Sequence, residues 1–178
     1  ADGFSKLVNP KIKKIAILKG NGELDDLDSN GQIKTRNLED FLKTIQPYYN
    51  IAAFTLDSVA SNPQGTLDNL KQFDLIIAAK PSEAFSENEK LVLDQYTMHG
   101  GKSLWLTESL VMDKDSLYND AGTGISIMRD LKLNDFFFKY GVRINPNLVK
   151  DLYSAPIMLA IGQGSQSQMQ PIQWQYSP

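Results

Sequence analysis

The stretch Phe73-Asp74-Leu75-Ile76-Ile77-Ala78-Ala79-Lys80-Pro81-Ser82, followed by Ser86-Glu87-Asn88-Glu89 and closed by Gly100-Gly101-Lys102-Ser103-Leu104-Trp105-Leu106, decides the fold class. Leu75 to Ala79 is an unbroken apolar run, the pattern of a strand covered on both faces of a parallel sheet. Lys80-Pro81-Ser82 breaks it. Ser86 and Glu89 have the spacing of a capping box, and Leu91, Val92, Gln95, Tyr96 and Met98 continue a helix to His99, where Gly100-Gly101 stops it. Lys102 to Leu106 then reads as the next strand. Strand, helix and strand with short connections imply parallel strands joined by right-handed crossovers.

Upstream, Ile15-Ala16-Ile17-Leu18 ends at Lys19-Gly20-Asn21-Gly22 and reads as another buried strand closed by a tight turn. Thr35 is placed to cap a helix with Leu38, Phe41, Leu42 and Ile45 on one face, and Pro47 ends it. Tyr49 to Thr55 reads as a strand, and Thr66 to Phe73 as one or two helical turns. Downstream, 107–128 is a polar excursion, and Leu131 to Tyr140 forms a helix stopped by Gly141. Three consecutive Phe residues cannot share one helix face, so Phe138 is expected to point away from Phe136 and Phe137. Val142 to Ile144, Leu148-Val149, Pro156 to Ile161 and Pro171 to Tyr176 are the remaining strand expectations. The whole, residues 1–178, is expected to be a single three-layer α/β domain with a mainly parallel sheet.

Composition supports this reading. Of 178 residues 42% are hydrophobic and 22% charged, enough for a globular core. A net charge of −3 provides no basic footprint, so no nucleic-acid partner is expected. The absence of Cys removes disulfides, thiolate metal sites and Cys nucleophiles. No stretch approaches the roughly 18 apolar residues that span a bilayer. The start at Ala1 without Met and the ending at Pro178 suggest a piece of a longer protein.

Chemistry is sparse. Gly20-Asn21-Gly22 sits where α/β folds place ligands, but Asp25 stands where a dinucleotide fingerprint needs its third Gly, and the loop is too acidic to attract phosphate. Asp26 to Gly31 resembles the start of a calcium loop, yet the twelfth position is Asn37 and not a bidentate Glu. A solvated turn is the reading, and no metal or cofactor is expected. His99 is the only His, placed at a helix end, and no Ser stands in a nucleophile elbow. Glu83 and Glu108 both follow predicted strands, where two carboxylates can divide acid and base roles if their environments differ.

Several longer runs resemble one family. Ala16-Ile17-Leu18-Lys19-Gly20-Asn21-Gly22-Glu23, Phe54 to Pro63, Ala79 to Ser86, Gly100 to Leu106 and Lys139 to Val149 are similar to the gliding-motility-associated ABC-transporter auxiliary proteins of Bacteroidetes, the GldG family. The resemblance runs from about Lys14 to Trp174. It implies a periplasmic domain of an inner-membrane protein, anchored by segments outside this chain and accompanying an ABC permease and ATPase. It also implies a fold like that shared with intraflagellar-transport proteins, itself resembling class I glutamine amidotransferases and the flavodoxin-like fold. Those enzymes carry a Cys on the elbow after a central strand. Here that turn corresponds to Lys80-Pro81-Ser82, so the activity does not carry over. The connection from Leu24 to Arg36 looks longer and more polar than the family's.

The expectation is therefore a non-catalytic domain acting in binding or assembly. One alternative is a small-molecule or carbohydrate ligand in a cleft lined by Gly20, Asn21, Lys80, Glu83, Thr107 and Glu108. Another is a degenerate hydrolase using Glu83 and Glu108.

Overall fold

The computed structural model describes residues 13–24, 26–27, 32–33, 37–112, 125–162 and 167–175. Its centre is a four-stranded sheet built from β1 (Lys14–Lys19), β2 (Asn50–Thr55), β3 (Leu75–Ala79) and β4 (Lys102–Leu106) in the order β2-β1-β3-β4. Every pairing in it is parallel. The strand order reverses direction between β1 and β3, the point at which open α/β sheets ordinarily place a ligand crevice.

Register explains the unbroken apolar runs. Ala16 pairs with Ile76 and Ile77 with Leu104, and successive side chains alternate between the faces. Ala16, Leu18, Ile76 and Ala78 enter one core. Ile15, Ile17, Ile77 and Ala79 enter another. Both halves of each alternation are therefore apolar.

The first face is covered by α2 (Pro63–Leu70), α3 (Glu87–Met98) and α4 (Asn134–Lys139), which supply Leu67, Leu70, Val92, Leu93, Tyr96, Phe136 and Phe137. Trp105 on β4 stacks edge-on against Phe85 and Phe137 at 5.7 and 5.3 Å. The capping box is present, with Ser86 Oγ accepting from Glu89 N–H and the Glu89 carboxylate accepting from Ser86 N–H. Such a cap is worth about 1 kcal/mol. Phe138 is 73% exposed while Phe136 and Phe137 are buried, as the three-Phe pattern requires.

The second face is covered by α1 (Glu39–Ile45), whose buried residue is Leu42. A short 3-10 helix (Asp57–Ala60) follows β2. No helix among the described residues is long and apolar enough to cross a membrane.

Beyond β4, β5 (Leu110–Met112) and β6 (Ser126–Met128) form a two-stranded sheet, and β7 (Pro156–Ile161) pairs antiparallel with β8 (Gln168–Gln173). Contacts divide the chain into two compact units, Ala1–Val111 with Ile127–Ile144, and Met112–Ser126 with Asn145–Pro178. The strands expected at Val142 to Ile144 and Leu148-Val149 do not form. Val142 N–H is used by the end of α4, donating to Phe137 O at 3.0 Å beside Gly141 at φ +74°. Asn147 N–H turns back to Asn145 O around Pro146, which has no N–H for a ladder.

Candidate functional site

The carboxyl ends of β1, β3 and β4 bring four of the six expected cleft residues, Asn21, Glu83, Lys80 and Glu108, into two bonded groups. In the first, Asn21 O accepts from the N–H groups of Ser82 and Glu83, both at 2.9 Å, which ties the turn after β1 to the turn after β3. Ser82 Oγ donates to Gly22 O at 3.0 Å, and Leu24 N–H donates to Ala79 O at 2.9 Å. Gly22 is required by its backbone, at φ +69°, and by space, since a Cβ there would lie 1.9 Å from Ser82 Oγ. Gly20, at φ +121°, lies against Asp57 and Thr55.

The second group is Lys80 with Glu108. Lys80 occupies a left-handed conformation, φ 52°, held by its N–H donating to Leu106 O at 2.7 Å. Its ammonium meets the Glu108 carboxylate at 3.2 Å, both side chains half exposed. An exposed pair of this kind contributes about 0–1 kcal/mol. Thr107, partly buried, follows β4 directly and precedes Glu108. Glu83 and Glu108 are both exposed, so no difference in burial separates them into acid and base. Arg129 Nη1 donates to Pro81 O at 3.2 Å and braces the same turn.

A residue the sequence reading took as part of a solvated acidic loop lies at the middle of this end. Glu23 is 8% exposed, and its Oε2 accepts from Asn21 N–H at 2.7 Å. Burial pushes its carboxyl above the ordinary value, the N–H groups of Glu23 and Asn21 pull it partly back, and Glu89 and Glu83 add to the rise. Glu23 Oε1 and Asn21 Oδ1 are buried without a hydrogen-bond partner among the described residues. The spacing of Gly-Asn-Gly-Glu carried no signal for this, because a side chain folding back onto its own turn shows no periodicity.

Asp26 is fully buried and its carboxylate accepts from Leu38 N–H, which anchors the start of α1. The rest of the calcium-like run, 28–31, lies outside the described residues. No group of three or more His, Asp and Glu suited to a metal occurs among the described residues. His99 caps the end of α3, its Nδ1–H donating to Gln95 O at 2.6 Å.

At the opposite, amino-terminal end of the strands, a cavity of about 780 Å³ opens against the second face of the sheet. Ile15, Leu75, Ile77 and Leu104 form its floor, and Phe41, Ile45 and Tyr49 one wall. None of the expected cleft residues lines it.

Residues 12–178 match the family described as an ABC-type uncharacterized transport system, the ABC-transporter auxiliary family. The chain belongs to that family. The auxiliary family thus accounts for nearly the whole sequence and links it to transport. No curated protein matches the chain. Among solved structures, the "mmIFT52 N-terminal domain" superposes with a TM-score of 0.53 at 17% identity, over 90% of this chain. This chain spans 65% of the length of that one. At such identity the likeness concerns the fold alone, and it agrees with a parallel α/β sheet.

Proposed function

We propose that this chain is a non-catalytic, extracytoplasmic domain of an ABC-transporter auxiliary subunit of the gliding-motility type, acting in binding or assembly. The observation that carries the reading is the family match over 12–178, joined to a strand-carboxyl end at which the turns after β1 and β3 are bonded to each other. The Asn21 carbonyl holds the 82–83 turn, Lys80 pairs with Glu108, and Glu23 is folded onto Asn21. A hydrolase needs a free acid and base around a substrate-sized space. Here Glu83 and Glu108 are both exposed, and the Glu108 carboxylate is paired with Lys80.

The periplasmic setting and the anchoring of the longer protein in the inner membrane rest on the sequence runs that resemble gliding-motility auxiliaries. The fold would then be the flavodoxin-like relative of the amidotransferase class without its nucleophile. The test is purification of the full-length protein from mildly solubilised membranes, with protease accessibility measured on intact spheroplasts. An ATPase and a permease should co-purify, and the domain should be cleaved from the outside. Protection of the domain in spheroplasts, or a protein free of both subunits, would overturn the reading.

A further inference from the structure

Parallel sheets are ordinarily buried on both faces. Among the described residues, the first face of this sheet carries three helices and the second carries α1, whose Leu42 clusters with Ile15, Ile17 and Ile77. On β4 the residues directed to the second face are Lys102, Leu104 and Leu106, by their register with Leu75, Ile77 and Ala79. Leu104 is 38% and Leu106 46% exposed. Beside α1 this leaves the open apolar groove of about 780 Å³.

The mouth of the groove is charged and mainly positive. Lys13 precedes β1, Lys71 follows α2, and Lys102 begins β4, so all three converge at the amino ends of the strands and line the cavity together with His99. None of the three lysines forms an ion pair among the described residues. Asp74 also lines the mouth, and its Oδ2 accepts from Lys14 N–H at 2.8 Å. Three ammonium groups against one carboxylate leave a positive mouth on an apolar slot, in a chain whose total charge is −3.

We propose that this groove binds a single-chain anionic amphiphile, with the apolar tail along Ile15, Leu75, Ile77 and Leu104 and the anionic head among Lys13, Lys71 and Lys102. The volume falls in the range of small-molecule sites, about 300–1,000 Å³. A docked helix fits less well. A helix about 10 Å across would fill the same space in a length of about 10 Å, less than two turns. A second copy packed face to face would bring two positive mouths together, which like-charge repulsion opposes. The site stands apart from the proposed assembly role, since co-purification with transporter subunits does not depend on it.

The test is calorimetric titration of the chain with oleate below its micelle concentration, alongside dodecyltrimethylammonium as a cationic amphiphile. One oleate should bind per chain, and the cationic amphiphile should bind markedly more weakly. The double variant Lys71→Glu/Lys102→Glu, altered only at exposed side chains, should weaken oleate roughly tenfold or more by reversing the head-group charge. Leu104→Glu, placing a carboxylate on the floor, should abolish binding. Circular dichroism melts of each variant establish folding. The proposal is overturned by absence of saturable oleate binding, by equal affinity for both amphiphiles, by unchanged affinity in the folded variants, or by sedimentation showing a dimer that closes the groove. Binding of an acidic amphipathic peptide in place of oleate would also overturn it.

Discussion

Gly22 and Ser82 bring the turn after β1 and the turn after β3 together, and their coupling can be measured. Gly22→Ala introduces two separable costs. A Cβ at φ +69° costs about 1–2 kcal/mol for an L residue. The same Cβ would lie 1.9 Å from Ser82 Oγ, so the hydroxyl must swing away and lose its bond to Gly22 O, about 1 kcal/mol. Gly22→Ala should therefore destabilise by about 2–3 kcal/mol. Ser82→Ala removes the hydrogen bond alone and should cost about 1 kcal/mol. In the double variant the bond can be lost only once, so the total should again be about 2–3 kcal/mol, and the coupling about 1 kcal/mol. Urea denaturation followed by circular dichroism measures all three differences if the slopes remain equal. Additivity of the two single changes would show that Ser82 does not abut Gly22, and the arrangement of the strand-carboxyl end described above would be wrong.

Four further outcomes follow from buried contacts. Leu42→Ala removes the fully buried residue by which α1 holds the second face, and should cost about 3 kcal/mol, lowering Tm by roughly 6–12 °C in a thermal melt; a loss under about 1 kcal/mol would mean that α1 is not packed there. Tyr96 OH donates to Phe73 O at 3.0 Å, so Tyr96→Phe should cost about 1 kcal/mol in urea denaturation. Gly101→Ala should cost more, since its Cβ would meet the buried Tyr96 ring at 2.3 Å, and the reverse order would contradict the packing. Glu23 has a carboxyl pushed above its ordinary 4.5 by burial, so the folded state holds that proton more tightly than the unfolded chain. The stability it contributes is complete below about pH 4.5 and is lost as pH rises through the raised value. Relative to the native protein, Glu23→Gln should thus gain in Tm between about pH 4 and pH 7.5, and a constant difference across that range would refute the burial of this carboxyl.

Much of this fold is legible because parallel strands need apolar residues at every position. Ile15 to Leu18 and Leu75 to Ala79 announce themselves without periodicity, and the capping box at Ser86 with the stop at Gly100-Gly101 delimits the crossover between β3 and β4. The three-Phe run also yields its exposed member, Phe138. Other features are invisible for definite reasons. Val142 to Ile144 has strand composition, but its first N–H is consumed by the helix end at Gly141. Glu23 reads as one more loop acid, and only the return of its side chain to Asn21 N–H buries it. Of the residues placed at strand carboxyl ends, Asn21 lies beside Glu83 and Lys80 beside Glu108, while Thr107 adds no bond among the described residues. The groove at the other end lies where α1 is the one helix among the described residues on that face, and finding it requires the register of β4 to be known.

The central claim is that the chain serves an ABC transport system by binding or assembly. It is tested most directly by crosslinking the full-length protein in its native membrane and identifying the captured proteins by mass spectrometry. The account predicts adducts with the permease of an ABC transporter, with its ATPase recovered in the same complex. Adducts confined to unrelated soluble enzymes, with no transporter subunit recovered, would contradict it.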